Sequence, residues 1–197
     1  MFQSRIALLT SAAALLLAAS AATPASAQIV TLKPPPITQY GPPDLVPQIT
    51  ANKSSILAGN WATGVYETVL FTVTVENRTT VVASNPITGA KQIAGSAASG
   101  VSLEIDLGPN LRQAGNIGAN GGLSCLPASS QVIQCVGGTI GAGGSATVVI
   151  EAYAARIYAP CWEVNYADVG VDPNNTIAEV SELNNRATSS VLVTSIC

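Results

Sequence analysis

Carboxylate and amide side chains are concentrated near the end of the chain. Asp172, Asn174, Glu179 and Glu182 place hard oxygen atoms within eleven positions. Calcium in proteins takes about six to eight oxygen ligands from carboxylates, amides, backbone and water. These four residues are therefore a candidate calcium set, although their spacing does not follow the EF-hand loop.

The same stretch also permits a structural interpretation. Asp172 and Asn174 would cap a turn, and Asn184-Asn185 would adopt tight backbone conformations before the last strand. Calcium and turn capping both stay open on the sequence alone. No other cofactor is expected. The chain has no histidine, which excludes histidine-based catalytic systems and histidine metal ligands.

Paired carboxylates raise the question of glycoside hydrolysis, for which Glu104 with Asp106 or Glu179 with Glu182 are the candidates. This chemistry needs two carboxylates at a set separation across a cleft. Glu104 and Asp106 instead share one face of a predicted strand, which is typical of a solvated surface. We therefore expect no enzyme activity.

Four cysteines, Cys125, Cys135, Cys161 and Cys197, lie beyond the presequence described below. An even number in an exported protein favours disulfides. Three pairings are open; the local pair Cys125–Cys135 is favoured, which leaves Cys161–Cys197. A four-cysteine zinc site is disfavoured because no C-x-x-C spacing occurs.

The first residues indicate export. Arg5 precedes an uncharged apolar run over residues 6–22, and Ala25-Ser26-Ala27 supplies small residues for a signal peptidase. We predict a signal peptide over residues 1–27. No later apolar stretch approaches ~20 residues, so no membrane span is expected after cleavage. The predicted location is secreted, at the cell surface or in the periplasm.

The chain is poorly charged and acidic. Charged residues make up 10%, against about 25% in an ordinary domain, and the net charge is −3. Nucleic acid is therefore not an expected partner.

Residues 28–43 hold Pro34-Pro35-Pro36 and Pro42-Pro43, which favours an extended polyproline arm or linker. A strand captured by a neighbouring molecule is the alternative.

Residues 44–197 show the alternation of half-buried strands. Apolar residues at every second position predict these core-facing sets: Val69, Phe71, Val73 and Val75; Val101, Leu103, Ile105 and Leu107; Val148, Ile150 and Ala152; Trp162, Val164 and Tyr166; Val191 and Val193. Gly- and Pro-rich turns separate the runs. The pattern predicts an all-β, immunoglobulin-like antiparallel β-sandwich of seven to nine strands. Trp61, in a predicted loop, is a candidate ligand contact.

Two motifs resemble a known family. Asp44-Leu45-Val46, followed by a strand ending at Val75-Glu76-Asn77, resembles the opening of the CARDB domain of bacterial and archaeal cell-surface proteins. Residues 171–185 resemble its closing pattern, V-D-x-x-x-x-I-x-E-x-x-E-x-N-N. Cys125, Cys135 and the following glycine-led turn resemble the DUF11 repeat. The resemblance spans about residues 44–195 and implies adhesion and surface roles.

These observations favour a non-enzymatic, exported module that binds a protein or glycan. The second hypothesis is a self-assembling structural subunit, whose proline-rich arm adds as a strand to the open sheet edge of the next molecule.

Overall fold

The computed structural model describes residues 41–59, 66–78, 81–84, 91–93, 95–154 and 161–195. The predicted signal peptide, most of the proline-rich arm, Trp61 and Cys197 lie outside these residues. The described part holds fourteen strands: β1 (Leu45–Ala51), β2 (Ser55–Leu57), β3 (Thr68–Asn77), β4 (Val81–Ser84), β5 (Lys91–Ile93), β6 (Ala98–Ser99), β7 (Ser102–Asp106), β8 (Leu111–Ala119), β9 (Leu123–Pro127), β10 (Val132–Gly137), β11 (Thr139–Ile140), β12 (Ser145–Ala154), β13 (Trp162–Val171) and β14 (Arg186–Thr194).

Two sheets form the sandwich. One has four strands in the order β1-β3-β12-β8, and the other has six in the order β2-β14-β13-β7-β10-β9. Neighbouring strands are antiparallel except β14 and β2, which are parallel. The pairs β6–β11 and β4–β5 form separate two-stranded sheets. The predicted all-β sandwich is confirmed, and its two main sheets together hold ten described strands because the short β2 and β9 complete the second sheet.

The core lies between the two main sheets and follows the predicted alternation in four of five strands. Alternate residues of β3 are fully buried, as are those of β7, β12 and the end of β14. Valine, isoleucine and phenylalanine suit this environment because their side chains pack well on a pleated surface. Burial of such side chains contributes about 1.5–3 kcal/mol each.

The face assignment of β13 is wrong. Trp162, Val164 and Tyr166 are exposed by 62%, 40% and 57%, whereas Asn165 and Ala167 on the other face are buried. Residues two apart on a strand share a face. Val169 and Val171 are buried in phase with Asn165. In this second half of β13 the opposite face carries Asp168 and Gly170, so the second half determines which face enters the core.

Asn165 is tolerated in the core because backbone groups use its amide. Its Nδ2 donates to the Leu107 carbonyl at 2.6 Å, and its Oδ1 accepts from the Asn110 N–H at 3.1 Å. The turn that it holds passes through Gly108 with φ of 80°. A Cβ at Gly108 would lie 2.4 Å from the Tyr166 carbonyl oxygen, so only glycine fits. The buried asparagine thus fixes both this turn and the facing of β13.

Candidate functional site

The carboxylates of the predicted calcium set take part in a hydrogen-bond network on the loop that joins β13 to β14. Asp172 is buried, and its carboxylate accepts from the Thr176 hydroxyl and from the Ile177 N–H, each at 2.7 Å. Its backbone carbonyl accepts from the Asn175 N–H. Asp172 therefore caps a turn, as the structural interpretation predicted. Asn174 is exposed on the same turn.

Two residues of this loop adopt the left-handed backbone conformation. Among the described residues other than glycine, positive φ occurs at Asp172 (43°) and Asn175 (48°). Asn184 and Asn185, for which tight backbone conformations were predicted, lie in a bend directly before β14. Asp and Asn tolerate this region because their short side chains bond the local backbone, and Asp172 makes such bonds here.

Glu179 and Glu182 connect the loop to the beginning of the domain. Glu179 Oε2 accepts from the Leu45 N–H at 2.6 Å, and both glutamates accept from the buried Asn185 amide at 3.2 and 3.0 Å. Asn184 Nδ2 donates to Asp44 Oδ1 at 2.9 Å. The two motifs that resemble the CARDB pattern are thus in direct contact.

The pKa values of two carboxyl groups in this loop shift in opposite directions. Burial raises the pKa of Glu179; the Glu182 and Asp172 charges act in the same direction, against the hydrogen bonds from Leu45 and Asn185. Burial would also raise the pKa of Asp172, but the hydrogen bonds from Ile177 and Thr176 outweigh it and lower the pKa. No group of three or more acidic, cysteine or histidine side chains within the described ranges is arranged to hold a metal ion. The calcium set stays a prediction.

The same loop covers the start of the β1 edge. In the β1–β3 ladder the Arg78 N–H donates to the Asp44 carbonyl and the Asn52 N–H to the Leu70 carbonyl, so odd-numbered residues of β1 point their backbone groups outward. Of these, Leu45 donates to Glu179 and Pro47 has no N–H. A free sheet edge can pair with a strand of another chain. At Leu45 and Pro47 no free N–H is left on this edge to donate to such a strand.

Asn77, which ends the opening motif, is buried and joins three segments. Its Nδ2 donates to the carbonyls of Ser96 and Ile140, each at 3.0 Å, and its Oδ1 accepts from the Asp44 N–H at 3.2 Å. Sequence reasoning noted this residue only as part of a motif. A buried side-chain amide whose atoms all bond to the backbone has a structural function.

Cys125 and Cys135 form the predicted disulfide between directly paired positions of β9 and β10. The bridge ties the edge strand β9 to its sheet and excludes the four-cysteine zinc alternative. The predicted Cys161–Cys197 pair involves Cys197, which lies outside the described residues.

A different surface, which the sequence placed in the core, is the second candidate site. We call the outward-pointing residues of the six-stranded sheet its outer face. At one end this face carries an apolar group drawn from three neighbouring strands. Its members are Leu57 on β2, Leu192 on β14, and Trp162, Val164 and Tyr166 on β13.

Acidic residues continue the outer face. Asp168 follows Tyr166 on the same side of β13 and pairs directly with Asp106 of β7. Glu104 lies two residues before Asp106 on the same face of β7, opposite Gly170. Like charges that face each other across strands destabilise a sheet, so this pairing has a cost that a cationic partner would offset. Arg186, also on this face, pairs with Gly170.

Neutral donors occupy part of this acidic surface. Thr188 donates its hydroxyl to Asp168, the Gly108 N–H donates to Asp106 at 2.8 Å, and Gln134 Nε2 donates to Glu104 at 3.3 Å. No ion pair within the described part of the chain involves these three acids. Glu104 and Asp106 therefore form an open anionic surface, in agreement with the predicted solvated face.

The fold defines the chain as an all-β sandwich. No family model and no curated protein matches it. Among solved structures, a CARDB domain from Pyrococcus furiosus, determined in complex with di-metal ions, is 13% identical, with a TM-score of 0.49 over 79% of this chain and 92% of that one. It is of the type that the two motifs resemble.

Two further solved structures are similar in fold. The major pilin subunit of Bacillus cereus is 9% identical, with a TM-score of 0.42 over 78% of this chain and 40% of that one. A bacterial hydrophobin is 12% identical, with a TM-score of 0.43 over 81% and 98%. At these identities the likeness concerns the fold alone. In the described part of the chain no helix is long and apolar enough to cross a membrane.

Proposed function

We propose that this chain is an exported, non-enzymatic adhesion module that binds a protein or a glycan at the cell surface or in the periplasm. One observation carries the proposal: Trp162 and Tyr166 project from the outer face with more than half of their surface exposed. Tryptophan and tyrosine dominate binding interfaces because they offer a large rigid apolar area with a polar tip. The predicted signal peptide supports export.

The arrangement of the acids supports a binding function rather than catalysis. Asp106 and Glu104 lie on an open sheet surface, and Glu179 and Glu182 share hydrogen bonds with Asn185. Acid–base catalysis by a carboxylate pair needs the two groups to flank a substrate in a site that separates their pKa values. Neither pair is arranged in this way.

Assembly into a structural polymer is the second candidate, and one edge strand favours it. β8 runs for nine residues at the margin of the four-stranded sheet and holds a single charged residue, Arg112. Long edge strands with few charges accept a further strand from another chain. The proline-rich arm, residues 28–43, would supply that strand.

A binding screen on the exported, oxidised chain tests the proposal. Wild type would be compared with the Trp162→Ala/Tyr166→Ala double variant against surface glycans and surface proteins. Leu126→Ala is the matched control, because Leu126 is 71% exposed on β9 of the same sheet. We expect binding by wild type and control, and its loss in the double variant at an unchanged melting temperature. A double variant that binds like wild type would refute the proposal.

Deletion of residues 28–40, which leaves the hydrogen bonds of Gly41 and Pro43 in place, tests whether the arm is required. In the adhesion case the deletion leaves partner binding intact, whereas it abolishes assembly by strand addition.

A further inference from the structure

The outer face of the six-stranded sheet has two chemical zones in a fixed order. The apolar zone around Trp162 and Tyr166 begins β13, and the acidic zone of Asp168 and Asp106 follows on the same face. A complementary ligand carries apolar groups along most of its length and a positive charge at one end.

The stretch that begins at Lys33 and continues through three prolines and Ile37 has that composition. Residues 28–43 contain one charged residue, Lys33, and it directly precedes Pro34-Pro35-Pro36. Residues 44–197 hold six basic and eleven acidic residues, a net charge of −5, against +1 for the arm. Consecutive prolines favour the polyproline II helix, which binds aromatic surfaces at low entropic cost because it is already extended.

We propose that the Lys33–Gln39 segment of a second copy of this chain binds to the outer face, which rests on the proposed function of that face. The Lys33 ammonium lies between the carboxylates of Asp168 and Asp106. The prolines pack on Tyr166 and Val164, and residues 37–39 reach Trp162.

The lengths agree. Six residue steps separate Trp162 from Asp168 on β13, which is about 20 Å at a strand rise of about 3.3 Å. Six steps also separate Lys33 from Gln39, which is about 19 Å at the polyproline rise of about 3.1 Å.

The position of Gly41 identifies a second copy as the donor. Gly41 accepts hydrogen bonds from Ser96, and Pro43 accepts one from Val180, at the end of the sandwich where β1 begins and β13 stops. Trp162 lies at the opposite end, about 30 Å away over nine residue steps. When Gln39 contacts Trp162, its Gly41 must lie two residues beyond it. A molecule's own arm cannot satisfy both positions.

The contact is therefore head-to-tail. The end of one molecule from which the arm leaves meets the Trp162 end of the next. A heterologous contact of this kind repeats along a line unless its rotation closes a ring. The arm would assemble the protein by lying across a sheet face, without adding a strand to an edge.

Light scattering and sedimentation on the exported full chain over a concentration series test this inference. We expect the mass of the wild type to grow with concentration. Lys33→Glu and Asp168→Lys should each weaken association at least tenfold, the loss of a hot-spot contact of about 1.4 kcal/mol or more. The chain that carries both changes should recover association. Lys53→Glu, at an exposed turn residue, is the matched charge control.

Each result has a defined meaning. A chain that stays monomeric at every concentration, or a charge-swapped chain that does not recover, overturns the inference. So does assembly that needs the arm but persists in the Trp162→Ala/Tyr166→Ala variant, since that result indicates strand addition.

A labelled peptide of residues 28–40 separates this inference from the proposed function. If surface partners need Trp162 and Tyr166 but the peptide does not bind to the face, only this inference fails. If neither the peptide nor any partner depends on the two aromatic residues, both fail.

Discussion

Glu179 Oε2 accepts a 2.6 Å hydrogen bond from the Leu45 N–H, across 134 positions of sequence. Leu45 is fully buried, so few other partners can reach its N–H. The bond fastens the loop between β13 and β14 to the edge of β1.

Replacement of Glu179 by alanine should destabilise the fold. The Leu45 N–H would lose its acceptor in a buried position, which costs about 1–3 kcal/mol. Glu67→Ala is the matched control, because Glu67 accepts a similar 2.9 Å bond from the Leu57 N–H at an exposed site, where water can replace it. Chemical denaturation measures both variants, and equal losses would contradict the burial argument.

The pKa shifts in this loop predict two opposite dependences on pH. The raised pKa of Glu179 means that its contribution to stability is present below the ordinary value of 4.5 and lost as the pH rises through the shifted value. The lowered pKa of Asp172 means that its contribution is present above 3.8 and lost as the pH falls through the shifted value.

Melting temperatures across this acidic range should show both effects. The advantage of wild type over Glu179→Gln should shrink as the pH rises, and its advantage over Asp172→Asn should grow. The two differences in melting temperature must change with pH in opposite directions. If both change in the same direction, the opposite pKa shifts of Glu179 and Asp172 are refuted.

Calcium distinguishes the two interpretations of the loop. The carboxylates of Asp172, Glu179 and Glu182 already accept hydrogen bonds from the chain, so we expect the same melting temperature in millimolar calcium as in a chelator. A clear rise with calcium would establish the ligand set instead, since a ligand that binds only the folded state raises its stability. Magnesium at the same concentration controls for ionic strength.

Removal of the Cys125–Cys135 bridge should loosen one margin of the six-stranded sheet. The double serine variant should lose about 2–4 kcal/mol, as for disulfides that restrict the unfolded chain. Hydrogen exchange should rise first in β9, whose sheet neighbour is β10. Uniform protection across both strands would show that backbone pairing alone holds β9.

Asn165 and Trp162 provide a paired test of the facing of β13. Asn165→Ala should cost about 2 kcal/mol or more, because the buried Leu107 carbonyl would lose its partner. Trp162→Ala should leave the unfolding free energy within about 0.5 kcal/mol, as for most surface substitutions. The reverse order would restore the interpretation that Trp162 is a core residue.

The strand periodicity of the sequence predicted most of the core, because valine and isoleucine at every second position have few alternatives to a sheet face. It failed on β13, where Trp162, Val164 and Tyr166 alternate with Glu163, Asn165 and Ala167, and the more apolar set was assigned to the core. The apolar residues Ala167, Val169 and Val171, which alternate with Asp168 and Gly170, were available as a signal in the sequence. The whole strand, rather than its largest side chains, determines the facing.

Long-range hydrogen bonds could not be predicted from the sequence. The Asn77 and Asn185 amides each bond to groups from more than one segment or side chain, and no local pattern shows this. Asp172, by contrast, bonds to residues four and five positions ahead, and its turn was predicted correctly. The outer face was missed because its recognition needs the order of the strands in the sheet.

The contact between Glu179 and Leu45 also affects how the chain is made. The outward N–H at the start of the first strand has no Glu179 acceptor until a loop some 134 residues later has been synthesised. Until then the emerging chain exposes β1, and pairings this distant in sequence form slowly. The protein therefore spends its most aggregation-prone period before its last strand exists. Pro47 has no N–H along that edge, so it limits strand pairing there as soon as β1 has been synthesised.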